Sequence, residues 1–154
     1  MQTEGDQGME TVRTMLRNKG SEIFWLAPEA TVYDAVAMMA DKSVGALLVL
    51  SEGKLAGIVS ERDYARKVIL KGKHSRDIQV REIMSSPVVT VTPGHTVEEC
   101  MRIITAYRIR HLPVMDQNEL AGMVSIGDLV KSIISAQAHT IDQLSGYIEG
   151  RYPA

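Results

Sequence analysis

The spacing of apolar positions in the first half of the chain predicts a helix followed by a β-hairpin. One set of apolar residues has the i, i+3, i+4, i+7 spacing of a single helical face: Val32, Ala35, Val36 and Met39. Thr31 precedes this stripe and Asp34 follows three positions later, a pairing typical of a capping box. The apolar runs 46–50 and 55–59 flank a polar turn and therefore predict two antiparallel strands.

The same patterns predict the elements on either side of the helix and hairpin. A strand is expected at 23–26, after an opening segment at 12–16 and a polar loop at 17–22. A further helix is expected at 60–70, and Gly72 ends it. Neighbouring side chains of a strand face opposite ways, so either Phe24 or Trp25 faces the core, and the pattern leaves open which.

The whole pattern returns 65 residues later without insertion or deletion. Thr31 returns as Thr96, which forms a capping box with Glu99, and Asp63 returns as Asp128. The second helix has its own apolar stripe: Val97, Cys100, Met101 and Ile104. Such a duplication predicts an α+β fold of two β-α-β-β-α repeats, related by a pseudo-twofold axis, that bury their faces on each other.

A nine-residue phrase occurs in both repeats where a strand leads into a helix. It is LAGIVSERD at 55–63 and LAGMVSIGD at 120–128. Each copy ends in Ser-x-x-Asp, in which the serine can cap the helix and the acid suits the positive end of the helix dipole. The same carboxylate could orient vicinal ribose hydroxyls, and free amides at a helix start favour phosphate. Capping alone and ligand binding therefore both account for the phrase.

Composition and charge narrow the classes of function. The chain has 154 residues, 45% of them hydrophobic, so it can bury one good core. Its formal net charge of −2 gives no global field for nucleic acid or an anionic membrane, so nucleic-acid binding is not expected. Cys100 is the single cysteine, which excludes an intrachain disulfide; it is expected in the core. The histidines lack metal-site spacing: His74, His95, His111 and His139.

The two ends of the chain differ from the repeats. Residues 1–10 are polar and acidic, so we expect a disordered leader, a cytoplasmic protein and no membrane partner. Repeats at 11–72 and 73–131 follow, and a C-terminal helical extension covers 132–154. An apolar stripe continues through the extension, with a break expected near His139: Val130, Ile133, Ile134, Ile141, Leu144 and Ile148. Such a face fits a partner subunit.

The doubled pattern resembles a known family. Residues 44–49 followed by 57–63, and 109–114 followed by 122–128, are similar to the motifs of the cystathionine β-synthase (CBS) domain pair, or Bateman module. The resemblance covers about 12–131 and is to the stand-alone type, which has no catalytic domain attached. It also implies a homodimer, in which two modules pair through the helices of both repeats.

The resemblance implies a non-catalytic regulatory module that binds an adenosine-containing ligand, such as AMP, ATP, NAD(H) or S-adenosylmethionine, in clefts between the repeats. It implies that each aspartate takes ribose hydroxyls, while the serine and nearby basic groups take phosphate. One mapped cleft comprises Ser60, Arg62, Asp63, Met84, Val88, Val89 and Ile109. The other comprises Asp128, Ser125, Arg110, His111, Lys19, Ile23, Phe24, Val44 and Gly45. Ile58 and Met123, two positions before each serine, are further candidates.

The two mapped clefts differ in charge. The first repeat has Gly-Ala at 45–46 where the second has Arg-His at 110–111, so the first must draw its positive charge from Arg62 or Arg66. A guanidinium fork suits phosphate, so we expect unequal occupancy, with the Asp128 cleft better equipped. A solvated group of charges is the plain alternative for these basic residues.

Two functions of different classes remain open. The first is an adenine-nucleotide sensor in energy sensing, without catalysis, that transmits binding through the C-terminal helix to an unknown target protein. The second is a constitutive dimeric interaction module with vestigial clefts, for which the apolar C-terminal stripe argues.

Overall fold

A computed structural model describes residues 10–148, with side chains as far as Ala138. In chain order, the main elements are α1 (Val12–Lys19), β1 (Trp25–Leu26), α2 (Val32–Lys42), β2 (Ala46–Ser51), β3 (Lys54–Ser60), α3 (Glu61–Tyr64), α4 (Val97–Tyr107), β4 (His111–Asp116), β5 (Glu119–Ser125) and α5 (Ile126–Ile148). The predicted α+β class is confirmed. The chain forms two compact units. Unit 1 contains residues 10–20, Val91–Leu112 and 124–148, and unit 2 contains Ser21–Thr90 and Pro113–Met123.

Unit 2 contains a three-stranded sheet with the order β1-β2-β3. β1 runs parallel to β2, and β2 pairs antiparallel with β3, so the predicted hairpin is confirmed. Glu52 and Gly53 turn the chain with positive φ angles of 52° and 78°, as a type I′ turn requires. The stripe of α2 packs with both strands in one core: Leu26, Val32, Ala35, Met39, Leu47, Val49, Val59, Val68, Ile78, Val80 and Ile83.

Unit 1 contains α1, α4 and α5. Its fully or nearly fully buried apolar residues come from all three helices, from the segment before α4 and from the base of the β4–β5 hairpin: Val12, Met15, Val91, Val97, Cys100, Ile104, Leu112, Val124 and Leu129. Cys100 is fully buried, which confirms its predicted place on the apolar stripe. Thr96 and Glu99 form the predicted capping box at the start of α4.

The segment that leads into each repeat packs next to the capped helix of the other repeat. In unit 1, the amide of Val12 donates to the carbonyl of His95 at 2.9 Å, just before α4. In unit 2, the amide of Val80 donates to the carbonyl of Ala30 at 2.8 Å, just before α2. Each unit therefore combines segments that are far apart in the sequence. The predicted boundaries of the repeats along the chain stay a prediction.

Two boundaries at the beginning of the chain differ from the sequence prediction. α1 continues to Lys19, where a polar loop was expected, because Thr11 caps it and its basic residues fall in the last turn, where the helix dipole favours them. Gly20, with φ of 96°, then ends the helix. The strand expected at 23–26 is reduced to Trp25–Leu26.

The second repeat lacks an equivalent of β1 among the residues described. Residues 88–90 form no regular element, and Val91 takes part in an isolated bridge only. Pro87 and Pro93 flank this segment, and neither can donate an amide hydrogen to a ladder.

Both C-terminal helices of the repeats also differ from expectation. The helix expected at 60–70 begins as α3 and continues as a π-helical turn at Ala65–Ile69. The break expected near His139 is wrong, because α5 runs without interruption to Ile148. No glycine or proline occurs between 128 and 145, and Ala136 to Ala138 are good helix formers. The side chains of Ile141, Leu144 and Ile148, and the leader at 1–9, lie outside the described residues.

Candidate ligand-binding site

The Ser-x-x-Asp sequence of the first repeat forms a closed capping box. Ser60 is the N-cap of α3, and its hydroxyl accepts a hydrogen bond from the amide of Asp63 at 3.2 Å. In return, Oδ2 of Asp63 accepts hydrogen bonds from the Ser60 amide at 2.9 Å and the Ser60 hydroxyl at 3.0 Å. The local sequence thus fixes where the carboxylate points, because both ends of the box are satisfied.

The second repeat reproduces this geometry. The Ser125 hydroxyl accepts from the Asp128 amide at 3.2 Å, and Oδ2 of Asp128 accepts from the Ser125 amide at 2.8 Å and hydroxyl at 3.0 Å. The phrase that recurs in the sequence therefore places a half-buried carboxylate in the same way twice.

A second backbone feature also recurs at these helix starts. The Glu61 amide donates to the carbonyl of Gly45 at 3.1 Å, and the Ile126 amide donates to the carbonyl of Arg110 at 2.8 Å. The residue just before β2 or β4 is thereby held beside the Ser-x-x-Asp of its own repeat. Arg110 and His111 consequently belong to the same unit as Ser125 and Asp128.

A lysine neutralises each of the two carboxylates, but the two lysines come from different elements. Lys67 lies one turn after Asp63, with Nζ 3.0 Å from Oδ1 of Asp63, and it also donates to the carbonyl of Ile83 at 2.9 Å. Ser132 stands at the equivalent position of the second repeat. There Lys19, the last residue of α1, donates instead to Oδ2 of Asp128 at 2.7 Å.

Two groups in the second repeat have shifted pKa values. Burial raises the pKa of Asp128, but hydrogen bonds from Lys19 and from Ser125 outweigh it, so the net pKa lies below the usual value. Burial lowers the pKa of His111, and the positive charges of Arg110 and Lys19 lower it further, against an opposing effect of Asp128. At neutral pH this cluster therefore combines an ionised carboxylate, two cationic side chains and a neutral imidazole.

The comparisons with known proteins agree with this duplicated geometry. The CBS-domain family model matches residues 12–70 and again residues 80–135. The chain belongs to the CBS-domain family. The Arabidopsis thaliana mitochondrial CBS domain-containing protein CBSX3 is 39% identical over 151 residues, which are 92% of this chain and 73% of that relative.

Solved CBS structures share the fold. The crystal structure of the CBS domain NE2398 is 45% identical, has a TM-score of 0.79, and is matched over 82% of this chain and 98% of its own. The CBS-domain pair of the protein MJ0100, in complex with 5′-methylthioadenosine and S-adenosyl-L-methionine, has a TM-score of 0.73, with 82% of this chain and 98% of its own covered. At 22% identity, this second likeness shows the fold alone.

The remaining candidate residues from the sequence are divided between unit 1 and unit 2. Lys19 lies in unit 1 with Ser125, Asp128, Arg110 and His111. Ile109 is also in unit 1, and Met123 is in unit 2. The rest of the candidates lie in unit 2 with Ser60 and Asp63: Ile23, Phe24, Val44, Gly45, Ile58, Arg62, Met84, Val88 and Val89.

The choice between Phe24 and Trp25 is settled by packing. Phe24 is partly buried against the core of unit 2, and the ammonium of Lys42 lies 5.4 Å from the centre of its ring. Trp25 is half exposed. Phe24 is therefore the inward-facing member of the pair, as far as unit 2 is concerned.

Lys67 contacts a site carboxylate, and the clefts mapped from the sequence did not include it. The signal was present, since an aspartate and a lysine four positions apart on a helix commonly pair. The sequence prediction instead named Arg62 or Arg66 as the source of positive charge in the first cleft, and both of these residues are exposed.

No group of three or more metal-binding side chains is present within residues 10–138, the part of the chain whose side chains the structure describes. No helix within residues 10–148 has the length and apolar composition needed to cross a membrane.

Proposed function

We propose that the chain is a regulatory module that binds an adenosine-containing ligand at its Ser-x-x-Asp sites. One observation supports this above all: the same carboxylate geometry is built twice, and each carboxylate has a cation beside it. A capped helix needs the serine and the acid but not the lysine, which in the second repeat comes from a helix 109 residues away in sequence.

The ligand class follows from the groups that the sites present. A carboxylate can accept hydrogen bonds from two vicinal ribose hydroxyls, and Lys19, Arg110 and His111 offer positive or hydrogen-bonding groups for a phosphate. AMP, ATP and NAD(H) fit this set, and S-adenosylmethionine fits the carboxylate alone. The adenosine derivatives bound by MJ0100 support the ribose assignment. We expect the Asp128 site to bind more tightly than the Asp63 site.

The regulatory role rests on the same site. We assign no reaction to the chain. Ligand binding would favour one conformation of the protein, and α5 would transmit this conformational change to a partner protein in the cytoplasm. A homodimer is the proposed assembly.

Calorimetry tests the ligand assignment. Purified protein is titrated with AMP, ATP, NADH and S-adenosylmethionine, and binding of at least one ligand is expected. Asp128→Asn should weaken ligand binding by about tenfold or more, because the hydrogen bond from a ribose hydroxyl to a charged carboxylate is lost. Asp116→Asn, at an exposed aspartate of β4, is the matched control and should bind normally. Absence of binding at millimolar concentration of every ligand would overturn the proposal.

The second candidate is a constitutive interaction module, and exposed apolar residues on α5 favour it. Val130 and Ile134 lie one helical turn apart, with 40% and 58% of their surfaces exposed. If the module only assembles, Asp63→Asn/Asp128→Asn should leave both assembly and partner regulation unchanged. Loss of regulation with assembly intact would exclude this candidate.

A further inference from the structure

One oxygen of Asp128 carries an unusual load of hydrogen-bond donors. Oδ2 accepts from the Ser125 amide at 2.8 Å, the Ser125 hydroxyl at 3.0 Å and the Lys19 ammonium at 2.7 Å. A carboxylate oxygen offers about two lone-pair positions, so three donors compete for it. The two Ser125 donors are held in place by the helix start, whereas Lys19 reaches in from a separate helix.

The lysine of the first repeat is held differently. Lys67 pairs with Oδ1 of Asp63, an oxygen that Ser60 does not use, and it is tied to the Ile83 carbonyl at 2.9 Å. It also lies on the same helical segment as Asp63. The ion pair of Lys67 therefore fits a fixed local contact, while that of Lys19 links two elements through a shared oxygen.

Resting on the proposed function, we infer that Lys19 is a built-in counter-ion that makes the Asp128 site selective for phosphorylated over unphosphorylated adenosine ligands. Ribose hydroxyls that donate to Asp128 compete with Lys19 for Oδ2. When the ribose displaces Lys19 from Oδ2, the favourable free energy of the ion pair is lost. A ligand compensates for this loss only if it offers Lys19 another anion. A phosphate does so, and an uncharged nucleoside does not.

The surroundings of Lys19 favour this exchange. Both partners of the ion pair remain accessible, with 37% of the Lys19 side chain and 21% of the Asp128 side chain exposed. Arg110 and His111 lie in the same unit, and the positive charges of Lys19 and Arg110 both lower the pKa of His111. A phosphate among these groups would meet several donors at once.

AMP and adenosine are the matched pair of probes, since they differ by one phosphate. The full chain carries Asp63→Asn throughout, so that calorimetry reports the Asp128 site, and Lys19→Met, Lys19→Arg and Arg17→Met are compared in that background. Lys19→Met should weaken AMP binding by about tenfold, the value of one charge-assisted hydrogen bond. It should tighten adenosine binding by about two- to fivefold, because an exposed ion pair no longer competes.

The two controls separate charge from contact. Arg17 is an exposed cation in the same last turn of α1, so Arg17→Met removes equal charge and should change neither affinity. Lys19→Arg keeps the cation and should keep the preference for AMP. Circular dichroism confirms that each variant is folded.

The possible results distinguish this inference from the proposed function. If Lys19→Met changes the affinities for AMP and adenosine in the same direction, the inference is wrong and the proposed function stands. The same conclusion holds if the wild type binds AMP but Asp63→Asn alone, with Lys19 unchanged, does not. If the wild type binds neither probe nor any other adenosine ligand, both are wrong.

Discussion

The aspartates of the two Ser-x-x-Asp sequences combine a structural task with a partly buried charge. Oδ2 of each closes the capping box, so the helix start and the orientation of the carboxylate depend on the same hydrogen bonds. Capping and ligand binding, which the sequence left as alternatives, therefore do not exclude each other. The neighbours distinguish the two copies, since Asp63 has a local lysine and Asp128 has Lys19, Arg110 and His111 in its unit.

His111 makes the stability of the protein depend on pH. Its pKa in the folded protein lies below the usual 6.5, because burial and the cations Arg110 and Lys19 oppose protonation. The unfolded chain therefore binds the proton more readily. The free energy of unfolding should fall as the pH drops below about 6.5, and this contribution should be fully present above that pH.

Urea unfolding at pH 5.5 and 7.5 measures this effect. His111→Gln should reduce the loss of stability between the two pH values, whatever its effect at pH 7.5. His74→Gln, at an exposed histidine, is the control and should keep the wild-type pH dependence. An unchanged pH dependence in His111→Gln would contradict the assignment.

The sequence predicted the helix-start hydrogen bonding of the two Ser-x-x-Asp segments better than it predicted the charge partners of their aspartates. Ser60, Asp63, Ser125 and Asp128 could be found because duplication marks them and helix-start chemistry is local. The pairing of Lys19 with Asp128 depends on where α1 ends, and no local rule joins residues so far apart in sequence. The resemblance had placed Lys19 in the second cleft without indicating that contact.

At the level of elements, the local signals were reliable and the long-range ones were not. β2, β3 and their turn follow from apolar runs around Glu52 and Gly53, and they form within one residue of their predicted limits. Whether a short apolar run forms a strand such as β1 depends on pairing with a strand distant in sequence. The apolar runs at 23–26 and 88–91 therefore predicted more strand than the structure contains. α1 was underestimated because its support comes from contacts near His95, far along the chain.

Gly57 in β3 is required by the close approach of the segment that follows the first repeat. A Cβ at this position would lie 2.6 Å from Sδ and 2.9 Å from Cγ of Met84, and 3.1 Å from the carbonyl oxygen of Ser85. That segment is held in place by two hydrogen bonds between Ile58 and Ser85, at 2.8 and 3.1 Å. Gly57→Ala should therefore lower the free energy of unfolding by about 1–3 kcal/mol through overpacking.

A double-mutant cycle checks the cause of that destabilisation. Met84→Ala removes the two closest atoms, so Gly57→Ala should cost clearly less in the Met84→Ala background, and the remaining cost reports the contact with the Ser85 backbone. Gly94→Ala is the matched control, because the nearest atom to its Cβ is 3.9 Å away. Equal costs of Gly57→Ala in both backgrounds would show that Met84 is not the obstacle.

At the level of the whole molecule, duplication alone did not reveal how the segments combine. The sequence order suggests two successive repeats, whereas the leading segment of each one packs beside the capped helix of the other. Val12 and Met15 are consequently buried in unit 1, together with residues more than 70 positions later in the chain. The leading segments at 12–16 and 80–84 are similar, but connections of different length follow them, seven positions from Leu16 to Ile23 and four from Met84 to Val88. The sequence pattern therefore gave too weak a signal to assign them.

The assembly of the whole protein provides the last prediction. Val130 and Ile134 expose apolar surface on consecutive turns of α5, and burial of such surface in a second copy would stabilise a homodimer. Sedimentation velocity at micromolar concentration should show a dimer. Ile134→Glu should weaken it by about tenfold or more, because an unpaired charge would enter the apolar contact. Ser135→Glu, at the next exposed position of the same helix, adds the same charge and should leave the dimer intact. A monomeric wild type, or equal effects of the two variants, would contradict a dimer contact through this face of α5.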